Sequence, residues 1–288
     1  MASPRKIVKI IKQREELIDA IPSEFIGQLE KAQNFLAREI INFAKELKTR
    51  GGQVQNTPAN IQLALRLRDQ IRGFLRKGGY FQSVTAFGQQ FYELLKVERQ
   101  YYRAMELSGV LAERDLKTLS NIRKNNINFL MEQDQRVINA TYDELLGGIY
   151  RERNFRDLAR RLERLQTDTT FPNGKTLNGL LKRYSATYAA TAYANFDRQI
   201  NNIKSAEFGI DDFLYSGSLL KDSRPFCVDR VGQTFTKDDV ESWQSLSWKG
   251  KAEGRDIWTF LGGWNCEHSL SPVTAEIKQE VERLYGKL

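Results

Sequence analysis

The chain has 288 residues, of which 41% are hydrophobic and 28% charged, and it contains two cysteines and a single histidine. This length is ample for a buried core, and two cysteines are too few for a disulfide-based scaffold. No stretch approaches the roughly 18 consecutive apolar residues of a membrane span. Charges interrupt the apolar residues of the N-terminus too often for a signal peptide. We therefore expect a soluble protein of a reducing cytoplasm, without a structural disulfide.

The net charge of +8 is unevenly distributed along the chain. Basic residues outnumber acidic ones over 1–200, whereas acidic residues are in excess over 201–288. Charges of both signs alternate with apolar residues over 151–165, which is typical of a solvated helix face. Successive basic residues on one short helix cannot all be buried, so we also predict a positive surface that fits a polyanion or an acidic protein face. This basic patch comprises Arg66, Arg68, Arg72, Arg76 and Lys77.

The first two thirds of the chain show the spacing of amphipathic helices. Apolar residues recur every three or four positions from Phe25 to Leu47, and a glycine pair that follows supplies a stop signal. The next helix should begin at Pro58, with Thr57 as its N-cap, and end at the next glycine pair. Helical spacing continues over 87–105, 116–145, 151–166 and 176–205, with a turn at Pro172-Asn173-Gly174.

After Gly209 the helical period is lost, and Gly, Trp and Ser become more frequent. Short β-prone segments at 211–218, 231–236 and 258–261 predict strands, and thus a sheet almost wholly within 210–265. Helical spacing returns over 274–284, with Thr274 as the expected N-cap. We therefore predict a mainly α protein: an elongated helical body over 1–205, a small α+β Cys/His module over 206–273 and a C-terminal helix over 274–288.

Both cysteines and the histidine fall in this module, in the segments DSRPFCVDRVGQTF and GGWNCEHSLSPV. In one interpretation they bind zinc, because Cys266 and His268 point to the same side of an extended chain and Cys227 closes the site. Asp222 and Asp229 are then the nearest candidates for a fourth ligand. In a second, one cysteine is a nucleophile with His268 as its base, although nothing local supplies an oxyanion site. In the third, the cysteines are small buried hydrophobic residues and the histidine is structural.

The same two segments resemble the C-terminal signature of the Mu F-like minor head proteins, the phage head morphogenesis family of tailed bacteriophages. The signature is an Asp-x-Arg-x-x-Cys element followed by a glycine and an aromatic residue, then Gly-Gly-aromatic-Asn-Cys-Arg-His before a proline. Glu267 stands where the family usually has arginine, which reverses the local charge and removes a contact to phosphate or an acidic partner. The matching residues are Asp222, Arg224, Cys227, Gly232, Phe235, Gly262, Gly263, Trp264, Asn265, Cys266, His268 and Pro272.

Of the three interpretations of the cysteines and histidine, we favour the third, as a metal-free structural clasp that needs no cofactor. Two loop segments joined by a Trp-rich stretch gain little core of their own, so each must be held by the other. We expect their polar side chains to converge around an Asp222–Arg224 pair. The predicted clasp comprises Asp222, Arg224, Cys227, Gly232, Asn265, Cys266 and His268, and zinc would use Cys227, Cys266 and His268.

The resemblance implies a structural virion protein rather than an enzyme. Such a protein attaches in few copies to the portal or the inner capsid and assists head assembly and DNA packaging or delivery. Portal and other head proteins are its implied partners, the virion its location, and the host cytoplasm its place of assembly. The alternative is a virion protein whose basic helices contact the packaged DNA. The sequence contains no P-loop, no His-Glu-x-x-His and no paired Cys-x-x-Cys motif.

Overall fold

The computed structural model describes residues 2–107 and 113–286 and consists mainly of α-helices. Its sheets are small: within those residues there are two two-stranded hairpins and one three-stranded sheet towards the C-terminus. The predicted fold class, mainly α with a small α+β part at the C-terminal end, is therefore confirmed. Residues 287 and 288 of the predicted C-terminal helix lie outside the described residues.

The chain forms two compact units, each built from separate stretches of sequence. Unit 1 comprises Met1–Ser23, Phe87–Asn126 and Thr187–Leu288, and unit 2 comprises Glu24–Ala86 and Ile127–Ala186. The predicted domain boundaries, at residues 205 and 273, follow the order of the sequence instead and stay a prediction.

The long helices follow the predicted apolar spacing but differ at some ends. They are α1 (Pro4–Ala44), α2 (Pro58–Lys77), α3 (Tyr80–Ala104), α4 (Glu113–Met131), α5 (Gln133–Tyr150), α6 (Phe155–Gln166) and α7 (Leu180–Phe208). Thr57 caps α2 as predicted, because its side chain accepts a hydrogen bond from the Asn60 N–H. The segment predicted as one helix over 116–145 is divided between α4 and α5. Glu132 between them keeps near-helical dihedral angles (φ −85°, ψ −4°), so the apolar spacing continues across the break.

Unit 2 has an apolar core in which α2 packs against α5, and α5 against α6. Ile71, Val137 and Leu158 are fully buried there. Gly148 permits the close approach of α5 and α6, since an added Cβ would lie 2.5 Å from Leu158 Cδ1. Two short hairpins complete the unit, β1 (Thr49–Arg50) with β2 (Gln53–Val54) and β3 (Thr169–Thr170) with β4 (Thr176–Leu177). The predicted Pro-Asn-Gly turn lies between β3 and β4.

The three-stranded antiparallel sheet belongs to unit 1 and has β5 (Asp212–Ser216) between β6 (Thr234–Thr236) and β7 (Ser269–Val273). Side chains alternate along a strand, so β5 serves two apolar clusters. Leu214 packs with residues of α1 and α3, whereas Phe213 and Tyr215 pack with the cysteines and tryptophans. Pro272 is tolerated because β7 is an edge strand.

Three predictions about the C-terminal region were wrong. The segment 258–261, predicted as a strand, contains a helical turn, α10 (Ile257–Phe260), because the Asp256 side chain caps it by accepting from the Thr259 N–H at 3.0 Å. The sheet was predicted almost wholly within 210–265, but β7 lies after this region and β1–β4 lie before it. The last helix, α11 (Lys278–Tyr285), begins after Ile277 rather than Thr274, whose carbonyl accepts from the N–H groups of Ile277 and Lys278 in a preceding turn.

A charged cluster lies in the core of unit 1. Arg14, which is 1% exposed, donates from Nη1 to Glu98 Oε1 at 2.9 Å, and its Nε lies 3.5 Å from Asp197 Oδ1. The guanidinium also donates to the hydroxyls of Ser216 and Ser271. Burial raises the pKa of Glu98 to about 8, because desolvation outweighs the attraction of Arg14. One cation thus faces two carboxyl groups, one of which carries a proton at neutral pH.

Candidate metal centre

Both cysteines and the histidine meet beside Tyr215 of β5. Cys227 lies on the single-turn helix α8 (Pro225–Val228), and Cys266 and His268 lie on the chain that leads into β7. Cys266 Sγ is 3.6 Å from His268 Nδ1, and the ligand atoms of all three residues lie within 4.8 Å of one another. Each side chain is buried. We refer to these three residues as the Cys–Cys–His cluster.

Two glycines make room for the Cys–Cys–His cluster. A Cβ on Gly262 would lie 2.5 Å from Cys227 Sγ and 2.9 Å from Cys266 Sγ. A Cβ on Gly217 would lie 2.9 Å from His268 Cδ2, and Gly217 also has a φ of 139°, which side chains disfavour. The side chains of the cluster therefore occupy space that any residue larger than glycine would take.

Arg198 of α7 fixes the backbone around the Cys–Cys–His cluster. Its buried guanidinium donates to the carbonyls of Cys266 at 2.5 Å, His268 at 2.6 Å and Thr259 at 2.7 Å. These hydrogen bonds hold both ligand-bearing residues of the last segment in one conformation. Arg198 was not predicted from the sequence, because its partners are backbone atoms and leave no trace there.

Aromatic side chains enclose the cluster on one side. The Tyr215 hydroxyl donates to Cys227 Sγ at 3.4 Å, and its ring centroid lies 5.5 Å from that of His268. Phe226 stacks on Trp248 with ring centroids 4.0 Å apart and an interplanar angle of 15°. Trp243 and Trp248 of the predicted Trp-rich connection thus belong to the same apolar cluster as the two cysteines.

Contact between the two sulfurs separates the pKa values of the cysteines. A hydrogen bond from Cys227 lowers the pKa of Cys266 well below its ordinary value, and the nearby cation of Arg198 adds to this effect. The same hydrogen bond, together with burial, raises the pKa of Cys227. Cys266 is therefore the more acidic of the two cysteines, and soft cations bind cysteine sulfur in its thiolate form.

A cleft of about 540 Å³ opens beside the cluster, and six of the seven residues of the predicted clasp line it. Asp222, Arg224 and Asn265 do so together with the cluster, whereas Gly232 does not; the Gly232 N–H donates to the Tyr215 carbonyl. Arg224 donates from Nη2 to the Trp264 carbonyl at 2.6 Å. Among the residues that the structure describes, Arg224 forms no ion pair with Asp222, because that carbonyl takes the guanidinium instead.

Glu267, the residue that departs from the resemblance, also lines this cleft. Burial and the neighbouring Asp19 raise the pKa of the Glu267 carboxyl to about 7. At neutral pH this side of the cleft therefore carries less negative charge than its carboxyl groups suggest.

The predicted basic patch lies on α2, in unit 2, and all five of its side chains are exposed as predicted. Three of them have carboxylate neighbours, which reduces the positive charge of the surface. Arg66 lies 3.9 Å from Glu46, Arg68 lies 3.7 Å from Asp69 and Arg72 lies 3.0 Å from Asp134.

Unit 2 contains a second, more strongly basic surface around α6. A cleft of about 710 Å³ is lined by five arginines against two carboxylates, and the arginines are Arg153, Arg160, Arg161, Arg164 and Arg183. Glu144 accepts from Arg153 at 2.7 Å and lies 4.0 Å from Arg161, and Asp157 pairs with Arg160. The alternating charges of 151–165 predicted a solvated face, but they did not reveal that it borders a concave surface.

No family model, curated protein or solved structure matches the chain. The resemblance to the Mu F-like minor head proteins therefore depends on the residues quoted for it. Within residues 2–107 and 113–286, no helix is both long and apolar enough to cross a membrane.

Proposed function

We propose that this chain is a structural minor head protein of a tailed phage, located in the virion and associated with the portal or the inner capsid. It would assist head assembly and DNA packaging or delivery, after synthesis in the host cytoplasm. The observation that supports the proposal is the single cleft lined by residues of both segments of the resemblance. Segments distant in sequence thus contribute to one site, with two glycines whose small size the site requires.

The surroundings of His268 support a structural rather than a catalytic role. His268 Nε2 is buried and has no hydrogen-bond partner in the described part of the chain, so no third group orients the imidazole as a general base. The pKa of Cys227 is raised by its contact with Cys266 and by burial, which keeps this thiol protonated and weakly nucleophilic. Cys266 has a lowered pKa but is only 2% exposed, and its neighbour His268 is not oriented as a base. We therefore propose that the site holds the fold together and does not perform chemistry.

Particles assembled with and without the chain test this proposal. We expect the protein to sediment with purified heads, and to stay with them after nuclease treatment and a high-salt wash. A nonsense allele should yield heads of lower infectivity, and the wild-type chain supplied in trans should restore it. Heads that lack the protein, or an unchanged titre without it, would contradict the proposal.

Nucleic-acid binding through the basic helices is a second candidate, and the arginine-lined cleft of unit 2 favours it. Such binding is weakened by salt, because each phosphate contact releases counterions. We expect DNA retention to fall when the cleft arginines Arg160, Arg161 and Arg164 become glutamine, and when the five residues of the basic patch do. In the matched control, glutamine replaces Arg114, Lys117 and Lys124, which are exposed basic residues of α4. Equal retention by all variants at every salt concentration would exclude this candidate.

A further inference from the structure

We infer that Cys227, Cys266 and His268 bind one zinc ion, with a fourth coordination position that faces the cleft. This inference departs from the metal-free clasp favoured by the sequence, and it does not depend on the proposed function. It rests on the distances within the cluster, on its burial and on the groups that hold its backbone.

The distances suit tetrahedral zinc. Zinc binds thiolate sulfur at about 2.3 Å and imidazole nitrogen at about 2.0–2.1 Å, so tetrahedral angles place sulfur and nitrogen ligands roughly 3.6 Å apart. The distance between Cys266 Sγ and His268 Nδ1 is 3.6 Å. All three ligand atoms lie within 4.8 Å of one another, so small side-chain rotations suffice to close the set around one ion.

Without a metal, the polar atoms of the cluster are poorly satisfied. His268 is 6% exposed, its Nδ1 contacts only the weakly bonding sulfur of Cys266, and its Nε2 has no partner among the described residues. A buried imidazole without good hydrogen bonds is costly. A zinc ion on Nδ1 replaces this weak contact with a strong bond, binds both sulfurs as thiolates and fixes the ring proton on Nε2.

The groups around the cluster are those that commonly support metal ligands. Arg198 holds the carbonyls of Cys266 and His268, so both ligands are oriented before an ion arrives. The Tyr215 hydroxyl donates to Cys227 Sγ, as outer-shell donors do to thiolate ligands. Two sulfurs and one imidazole favour zinc over calcium or magnesium, which prefer oxygen ligands.

The fourth position belongs to the cleft rather than to a fourth buried side chain. Within the described residues, the group of potential ligands contains only the three members of the cluster. Asp222 lines the cleft outside this group, and Asp229, the other candidate from the sequence, is exposed and does not line it. Water or a donor that enters the cleft beside Glu267 would therefore complete the tetrahedron.

Metal titration of the full chain provides the test. The reduced, chelator-treated protein is mixed with zinc and a chromophoric chelator that competes for it. We expect one equivalent of zinc to be withdrawn from the chelator, and X-ray absorption to give two Zn–S distances near 2.3 Å. The Cys266→Ser and His268→Ala variants should each lose this uptake, whereas Ser245→Ala, an exposed change in the same unit, should retain it.

The native chain keeps the inference falsifiable if a ligand variant fails to fold. Its zinc uptake is measured directly, and circular dichroism reports whether each variant retains its helices. Failure of the folded native chain to withdraw zinc would overturn the inference, and so would zinc bound through oxygen ligands alone. A Cys227–Cys266 disulfide that persists in reducing buffer would overturn it as well. Infectivity plays no part in these measurements, so their outcome is independent of the proposed function.

Discussion

Replacing Arg14 by methionine tests whether the buried charges of unit 1 stabilise its core. The Arg14 guanidinium is the cation that contacts both Glu98 and Asp197, and it is 1% exposed. Methionine is flexible and apolar and fills much of the same space, so the change removes the charge and leaves only a modest cavity. The expected loss of stability therefore reflects electrostatics more than packing.

The magnitude follows from what remains in the core. Removing one partner of a buried ion pair costs about 3–5 kcal/mol, because an uncompensated charge stays behind. Here Asp197 and Glu98, both buried, are left in the core without the cation that contacts them. We expect the free energy of unfolding of unit 1 to fall by about 3–5 kcal/mol at pH 7.

Tryptophan fluorescence during urea denaturation measures this change, because all four tryptophans of the chain lie in unit 1. The matched control is Lys9→Met on the same helix, an exposed position where the cost should stay within about 0.5 kcal/mol. Adding Asp197→Asn to Arg14→Met should recover part of the loss, since one of the two carboxyl groups left without the cation is then removed. An Arg14→Met chain as stable as the Lys9→Met control would refute the reasoning.

Three further predictions concern Glu98, Gly262 and Arg198 of unit 1. From pH 6 to pH 8 the unfolding free energy of the native chain should fall by about 2 kcal/mol more than that of Glu98→Gln, because folded Glu98 keeps a proton that the unfolded chain releases near pH 4.5. Urea titrations of both chains give this difference, to which Glu267, whose pKa is also raised, contributes equally in both. Gly262→Ala should lower the free energy of unfolding by about 1–3 kcal/mol in thermal or urea denaturation, because the added Cβ would contact both sulfur atoms. The control Gly73→Ala, in open space on α2, should raise it by up to about 1 kcal/mol. Arg198→Lys should cost about 2–3 kcal/mol by the same measurement, because a single ammonium cannot reach all three carbonyls, and exposed Arg183→Lys should cost less than about 1 kcal/mol.

Helices were predictable because their signals are local. The Thr57 cap of α2 and the apolar spacing from Phe25 to Leu47 involve residues within a few positions of one another. The structure confirms the cap and buries Phe25 and Leu47 together with the apolar residues spaced between them. The strand predicted over 258–261 was wrong although a local signal for a helical turn was present. Its apolar and aromatic residues satisfy a β pattern, but Asp256 provides a cap that favours a helical turn. The cap is also a local signal, and it was outweighed by composition.

The residues of the candidate site were partly predictable for a different reason. Cysteine and histidine are rare in this chain, so their grouping in two segments was visible without knowledge of the fold. The distances that favour zinc depend on β5 and β7 lying side by side, and β7 was not predicted. Arg198 and Gly217 act through backbone carbonyls and close approach, and neither leaves a spacing pattern in the sequence.

The buried charges of unit 1, in contrast, did leave a signal, although it is visible only when several helices are compared. Arg14, Glu98 and Asp197 each occupy a position of an apolar stripe, where a single charged residue interrupts the apolar spacing of its helix. Opposite charges at stripe positions of different helices instead predict burial against one another, because each needs the other as a partner. One cation cannot neutralise two carboxylates, so the same pattern predicts a proton on one of them, as the raised pKa of Glu98 indicates. The three stripes are Ile7, Ile11, Arg14 and Ile18 on α1, Leu94, Glu98 and Tyr101 on α3, and Tyr193, Asp197 and Ile200 on α7.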